Sequence, residues 1–133
     1  MAIASNSQFQ VLVDYLNLTK PAIASLNVFV GMATLLLVPH LNGAAAIPLL
    51  FLAVSGFLAA AGAGALNSFI ERDIDLSMNR TRHRPLPSHR VSVVGAGVLG
   101  VASSLAGILI AAIFLNALTA VLIGLGVFWY ALI

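Results

Sequence analysis

The sequence predicts an all-α fold, a polytopic bundle of transmembrane helices, and three observations carry that expectation. Of its 133 residues 61% are hydrophobic and 8% charged, where a soluble domain holds roughly 45–50% apolar and about 25% charged residues. The ten charged side chains fall only at positions 14, 20, 71–75 and 80–90, so residues 21–70 and 91–133 carry none. No stretch alternates polar and apolar residues with a period of two, which excludes a membrane-spanning barrel and leaves helices as the way to satisfy the backbone in lipid.

At about 20 residues per crossing of a ~30 Å hydrocarbon core, each uncharged block has room for two spans. Residues 1–20 precede them as a cytoplasmic interfacial segment, in which Phe9, Val11, Leu12, Tyr15 and Leu16 interleave with polar residues at helical spacing. This segment lacks the basic start and apolar run of a signal peptide, and lacks the arginines of a mitochondrial transit peptide. The first span is expected over 21–38, with Pro21 suited to the first helical position and Lys20 to anchoring at the interface. Pro39-His40-Leu41-Asn42-Gly43 then reads as a turn. The second span is expected over 47–70, the third over 91–115 and the fourth over 117–133, with Asn116 marking the break between the last two. The apolar end, with Phe128, Trp129 and Tyr130 but no polar tail, reads as an aromatic belt and as the N-terminal part of a longer membrane domain.

Five of the six basic residues (Arg72, Arg80, Arg82, Arg84 and Arg90) lie in loop 71–90 and the sixth, Lys20, lies before the first span. The positive-inside rule therefore places the N-terminus and that loop in the cytoplasm, as in a multi-pass protein of the inner cell membrane. The charge of +2 belongs to that loop and gives no reason to expect nucleic acid. Without cysteine there are no disulfides, thiolate metal sites or thiol nucleophiles. Gly56, Ala60 and Gly64 in the second span, and Ala96, Gly100 and Ser104 in the third, form small-xxx-small stripes that predict close helix packing.

The chemistry concentrates at the end of the second span. Asn67, Glu71 and Asp75 are spaced by four and share one helical face, whereas Asp73 lies about 160° around the helix from Glu71. Hard oxygen ligands without His or Cys suit Mg²⁺, which keeps several waters and binds one or two carboxylates together with substrate phosphates. Arg72, Arg80, Arg82 and Arg84 stand close enough in sequence to grip those phosphates. The competing reading is an ordinary cytoplasmic loop of topogenic arginines and solvated acids. Asn27, an amide inside the first span, is expected to face inward, either lining a substrate cavity or bonding a neighbouring helix. His40, His83 and His89 show no metal-site spacing.

Asn67-x-x-x-Glu71-x-x-x-Asp75 followed by Arg80-Thr81-x-x-Arg84-Pro85-Leu86-Pro87 resembles the first aspartate-rich motif of the UbiA superfamily of intramembrane prenyltransferases. The block 71–81, with Asp14-Tyr15-x-x-Leu18-Thr19-Lys20-Pro21 ahead of the first span, is similar in particular to its heme-farnesylating branch. Two departures stand out: Ser68 occupies a position where many members have Asp, and Glu71 replaces the commoner Asp. The resemblance implies about nine spans in all, four of them here, and a second acidic motif on a later cytoplasmic loop in the missing C-terminal half. It implies transfer of a farnesyl group from farnesyl diphosphate to a vinyl group of heme B, giving heme O, by a protein embedded in membrane lipid. Catalytic roles then fall to Asn67, Glu71 and Asp75, the Mg²⁺ to Glu71 and Asp75, and substrate contacts to Arg72, Arg80, Arg84 and Asn27. Residues 1–133 alone are expected to be inactive. A quinone precursor as acceptor, or a non-catalytic four-helix scaffold whose acidic stripe binds cations, are the alternatives.

Overall fold

The structure, a computed structural model, describes residues 2–37 and 46–132, with side chains from residue 8 onward. Its elements are the helices α1 (Ala2–Leu18), α2 (Pro21–Leu36), α3 (Ala46–Ile70), α4 (Arg72–Ser77), α5 (Val93–Phe114) and α6 (Ala117–Leu132). Among the described residues there is no strand. The turn expected at 39–43, with His40, lies outside the described residues.

Two helices, α3 with 25 residues and α5 with 22, are long and apolar enough to cross a membrane singly. The expected first span is shorter, 16 residues from Pro21 to Leu36, and qualifies only together with the end of α1, from which it is bent by 46°. The bend has a local cause. Pro21 has no N–H and disfavours a right-handed helical residue before it, and Lys20 adopts φ 48° and ψ 59°. Gly64 of α3 receives the joint: a Cβ there would lie 3.0 Å from the Thr19 carbonyl oxygen. The apolar helix α6 has 16 residues.

The expected breaks are capped. Asn116 Oδ1 accepts a hydrogen bond from the Thr119 N–H at 2.7 Å, opening α6. Helix α5 begins at Val93, two residues later than expected, because Ser92 is extended and its Oγ accepts from the Gly95 N–H at 2.9 Å.

Helix α3 is the hub, packing on α5, α2 and α6. Its seam with α5 is made of small residues. A Cβ on Gly62 would meet the Ser104 backbone nitrogen at 2.5 Å, and one on Gly107 would meet the Ser55 carbonyl oxygen at 2.5 Å. Ala96, Gly100 and Ser104, predicted as a stripe on the third span, are all buried along this helix. The stripe predicted on the second span splits between other neighbours: Gly56 faces Val28 of α2, and Gly64 faces the α1–α2 joint. Ser55, Ala59 and Gly62 take its place against α5. At the far end Phe51 and Phe114 stack with centroids 4.1 Å apart.

At the loop end a second cluster ties α1 down. Leu18, Ala65, Leu86, Val91 and Ala96 are buried together, with Tyr15, Phe69, Val93 and Leu99 packed against them. Asp14, 2% exposed, pairs with Arg90 at 3.5 Å, and the Tyr15 and Ser92 hydroxyls lie 3.3 Å apart. Large apolar side chains such as Leu105, Leu109, Leu118, Leu122 and Leu125 remain exposed on α5 and α6. Faces of that kind suit hydrocarbon, and the fold is that of a helical membrane protein.

Candidate active site

The site begins where α3 ends. The Glu71 N–H donates to the Asn67 carbonyl at 2.9 Å and the Asp75 N–H to the Glu71 carbonyl at 2.8 Å, so helical pairing runs through the junction into α4. At the junction Glu71 sits at φ −81° and ψ −2°, slightly off the helical norm. Asn67 and Glu71 stay on one face and line a mouth of about 470 Å³ together with Gly126, Trp129 and Tyr130 of α6.

Asn67 is 6% exposed. Its Oδ1 accepts a hydrogen bond from Lys20 Nζ at 2.6 Å, while the same ammonium lies 5.5 Å from the centre of the Tyr130 ring. Lys20 thus turns inward instead of reaching for the interface as the sequence suggested. The left-handed backbone at Lys20 is part of how it gets there.

Asp75 is placed differently. It is 3% exposed, and both its carboxylate oxygens accept from Arg84 Nη1, at 2.9 and 3.2 Å. Its carbonyl accepts from the Thr81 hydroxyl at 3.1 Å. The carboxylate organises the loop that follows, and the three-residue stripe expected of Asn67, Glu71 and Asp75 is not assembled at one mouth. Asp73, with its side chain 79% exposed, pairs with Arg72 at 3.3 Å, on the outer side where the helical wheel placed it. Arg72 also stacks over Phe69, 5.5 Å from its centroid, and Arg80 is exposed on the loop. Neither lines the mouth. Among the described residues no three His, Cys, Asp or Glu side chains converge.

Above the mouth lies an apolar cavity of about 320 Å³ between α2, α3 and α6. Gly56, Ala59, Ala60 and Ala63 form its α3 wall, Asn27 is a polar group within it, and Gly126 and Tyr130 line both it and the mouth. Asn27 therefore faces the cavity, one of the two inward placements expected. Mouth and chamber therefore adjoin. Gly126, Tyr130 and Lys20 were not marked as site residues by the sequence. The available signal was Lys20 itself, a lone cation directly before a proline and an uncharged span.

These features set the class, a helical membrane protein with an apolar chamber adjoining a mouth that carries Asn67 and Glu71. Within that class the assignment is specific, because the chain belongs to the UbiA prenyltransferase family, which matches residues 24–133. It is 37% identical over 127 residues to the protoheme IX farnesyltransferase of Roseiflexus castenholzii (strain DSM 13941 / HLO8), covering 92% of this chain and 23% of the relative. The protoheme IX farnesyltransferase of Maricaulis maris (strain MCS10) is 40% identical over 122 residues, covering 90% and 36%. That of Afipia carboxidovorans (strain ATCC 49405 / DSM 1227 / KCTC 32145 / OM5) is 37% identical over 122 residues, covering 90% and 38%. The chain spans between about a quarter and two fifths of the length of these relatives. No solved structure matches it.

Proposed function

We propose that this chain forms the donor half of a site that transfers a farnesyl group from farnesyl diphosphate to a vinyl group of heme B, producing heme O. The observation that carries the reading is the continuity of the mouth at Asn67 and Glu71 with the apolar chamber through Gly126 and Tyr130. A prenyl diphosphate has that same division into anionic head and apolar chain. The acceptor is taken from the relatives, which are protoheme IX farnesyltransferases.

The Glu71 carboxylate, with no imidazole or thiolate beside it, fits Mg²⁺, which needs few protein ligands when phosphates complete its shell, whereas the Asn67 amide oxygen is held by Lys20 Nζ. Bound there, it would neutralise the charge that builds on the departing diphosphate. Glu71 would hold it and Asn67 would orient a bound water or a phosphate oxygen. Asp75 positions Arg84, whose rigid donor fork lies outside the lining of the mouth. The small-residue wall of α3 keeps the allylic carbon in dry surroundings, so that the acceptor meets it before bulk water does. A second acidic cluster on the remainder of the catalytic domain would complete the grip on the diphosphate, and residues 1–133 alone would then be inactive.

The N-terminus and loop 71–90 face the cytoplasm of an inner-membrane protein on this reading. A cysteine placed at Ser88 should be protected from an impermeant thiol reagent in intact cells, and labelling there would reverse the orientation. Incubation of membranes holding the complete enzyme with farnesyl diphosphate, Mg²⁺ and heme B should yield a farnesylated, hydrated heme by mass. Failure to form that product, with prenylation of a quinone precursor instead, would move the activity to another acceptor.

A further inference from the structure

A second polar space lies on the other side of Lys20 from the mouth. It encloses about 410 Å³ and is lined by Asn17, Lys20, Ser68, Arg84, Leu18, Ile23 and Pro85. Two cations face it and no carboxylate does. Among the described residues Lys20 has no carboxylate within ion-pair distance, its partners being the neutral Asn67 amide and the Tyr130 ring. Arg84 gives only Nη1 to Asp75, so among the described residues Nε and Nη2 remain as further donors. A half-buried ammonium whose direct partners are neutral can accept an arriving anion without first breaking an ion pair.

Position 68 sharpens the point. The Ser68 hydroxyl is buried and donates to the Gly64 carbonyl at 2.9 Å, so it adds no charge to the wall. An Asp there would put a carboxylate beside Lys20 and Arg84 and occupy them.

We infer that this space is a carboxylate site for the acceptor, with Lys20 and Arg84 holding a propionate of the porphyrin, and that Ser68 is the residue that leaves it open. The inference rests on the acceptor proposed above. A donor has one anionic head, and that head belongs at the mouth, beside the group that fits Mg²⁺. A second cationic space without acidic ligands calls for a second anion, of a kind that needs no metal. Heme B carries its carboxylates on the edge of the macrocycle away from the reacting vinyl. A clamp on them would hold the ring by one side and present the other to the mouth.

The test is a Soret-band titration of the complete, detergent-solubilised enzyme with heme B and with its dimethyl ester, which removes the carboxylates without touching the vinyl groups. The unmodified enzyme should prefer heme B by about tenfold or more, the scale of one charge-assisted bond. Lys20→Gln should remove most of that preference and Lys20→Arg should keep it. Equal binding of heme B and ester by the unmodified enzyme would overturn the inference, and needs no variant to fold. So would a Lys20→Gln effect confined to the farnesyl diphosphate KM, which would give the space to the donor. A loss confined to retained phosphatidylglycerol, with the heme preference intact, would give it to a lipid headgroup and overturn it likewise. Efficient farnesylation of the ester, bound as tightly as heme B, refutes the carboxylate clamp while farnesyl transfer stands. No farnesylation of either refutes the proposed function and the clamp with it.

Discussion

The two faces of α3 are built from the same kinds of residue and do opposite things. Toward α5, Ser55, Ala59 and Gly62 meet Gly100, Ser104 and Gly107 so closely that a single added Cβ has no room. Toward α2 and α6, Gly56, Ala60 and Ala63 leave a chamber of about 320 Å³. Small residues permit close approach without compelling it. What decides is the opposing helix: α5 offers a matching small stripe, whereas α2 and α6 offer Ile23, Val28, Ile123 and Val127, which hold the backbones apart.

The largest effect that this contrast predicts is in the seam. Gly62→Val or Gly107→Val places carbon against backbone atoms that belong to both helices, and should destabilise by ~3 kcal/mol or more. The measurement is yield and thermal stability of the purified membrane protein. A stable Gly107→Val variant would show that the helices are not closely packed there.

The acids come next, and they separate by surroundings. Glu71→Gln should lower farnesyl transfer about 100-fold or more with stability intact, since an amide is a poor Mg²⁺ ligand. Asp75→Asn should act through the loop: a smaller loss of rate, about tenfold, accompanied by faster proteolysis between Met78 and Arg90 as Arg84 is released. Asp73→Asn should be near neutral. Activity of the three variants across a Mg²⁺ titration, with limited proteolysis beside it, distinguishes these roles; equal losses with an intact loop would make all three acids part of one metal site.

The smallest effect on the fold is expected in the chamber. Ala60→Leu should change stability by under about 1 kcal/mol, having open space to fill, yet should shorten the prenyl chain accepted. Competition between geranyl and farnesyl diphosphates reads this directly. An unchanged preference would place the hydrocarbon tail elsewhere.

Much of this organisation is legible in the chain. The charge-free blocks announce the apolar helices, Asn116 the break before α6, and the spacing of Ala96, Gly100 and Ser104 a packed face. Which face of α3 meets α5 was not legible. That helix is apolar and small-sided nearly all round, so its sequence holds no polar stripe to fix its rotation. The pairing of Asp75 with Arg84 was hidden for another reason: it closes across a turn ending in Pro85, and helical periodicity says nothing about contacts made by loops. Lys20 was read from its likeness to an interfacial anchor, but the direction of a side chain leaving a left-handed residue is a property of the bend.

The clasp of α1 also has a consequence for how the protein is made. Tyr15 and its partner Ser92 are separated by 77 positions. At a synthesis rate of about 5–20 residues per second, α1 leaves the ribosome ~4–15 s before that partner exists. Through that interval Asp14 has no Arg90 and Leu18 no Leu86 to cover it. Phe9, Val11, Leu12 and Leu16 nevertheless give α1 enough apolar surface to wait on the lipid headgroups. The first helix to be made is then fastened only after the loop and the start of α5 exist, and its docking signals that they and α3 have already found one another.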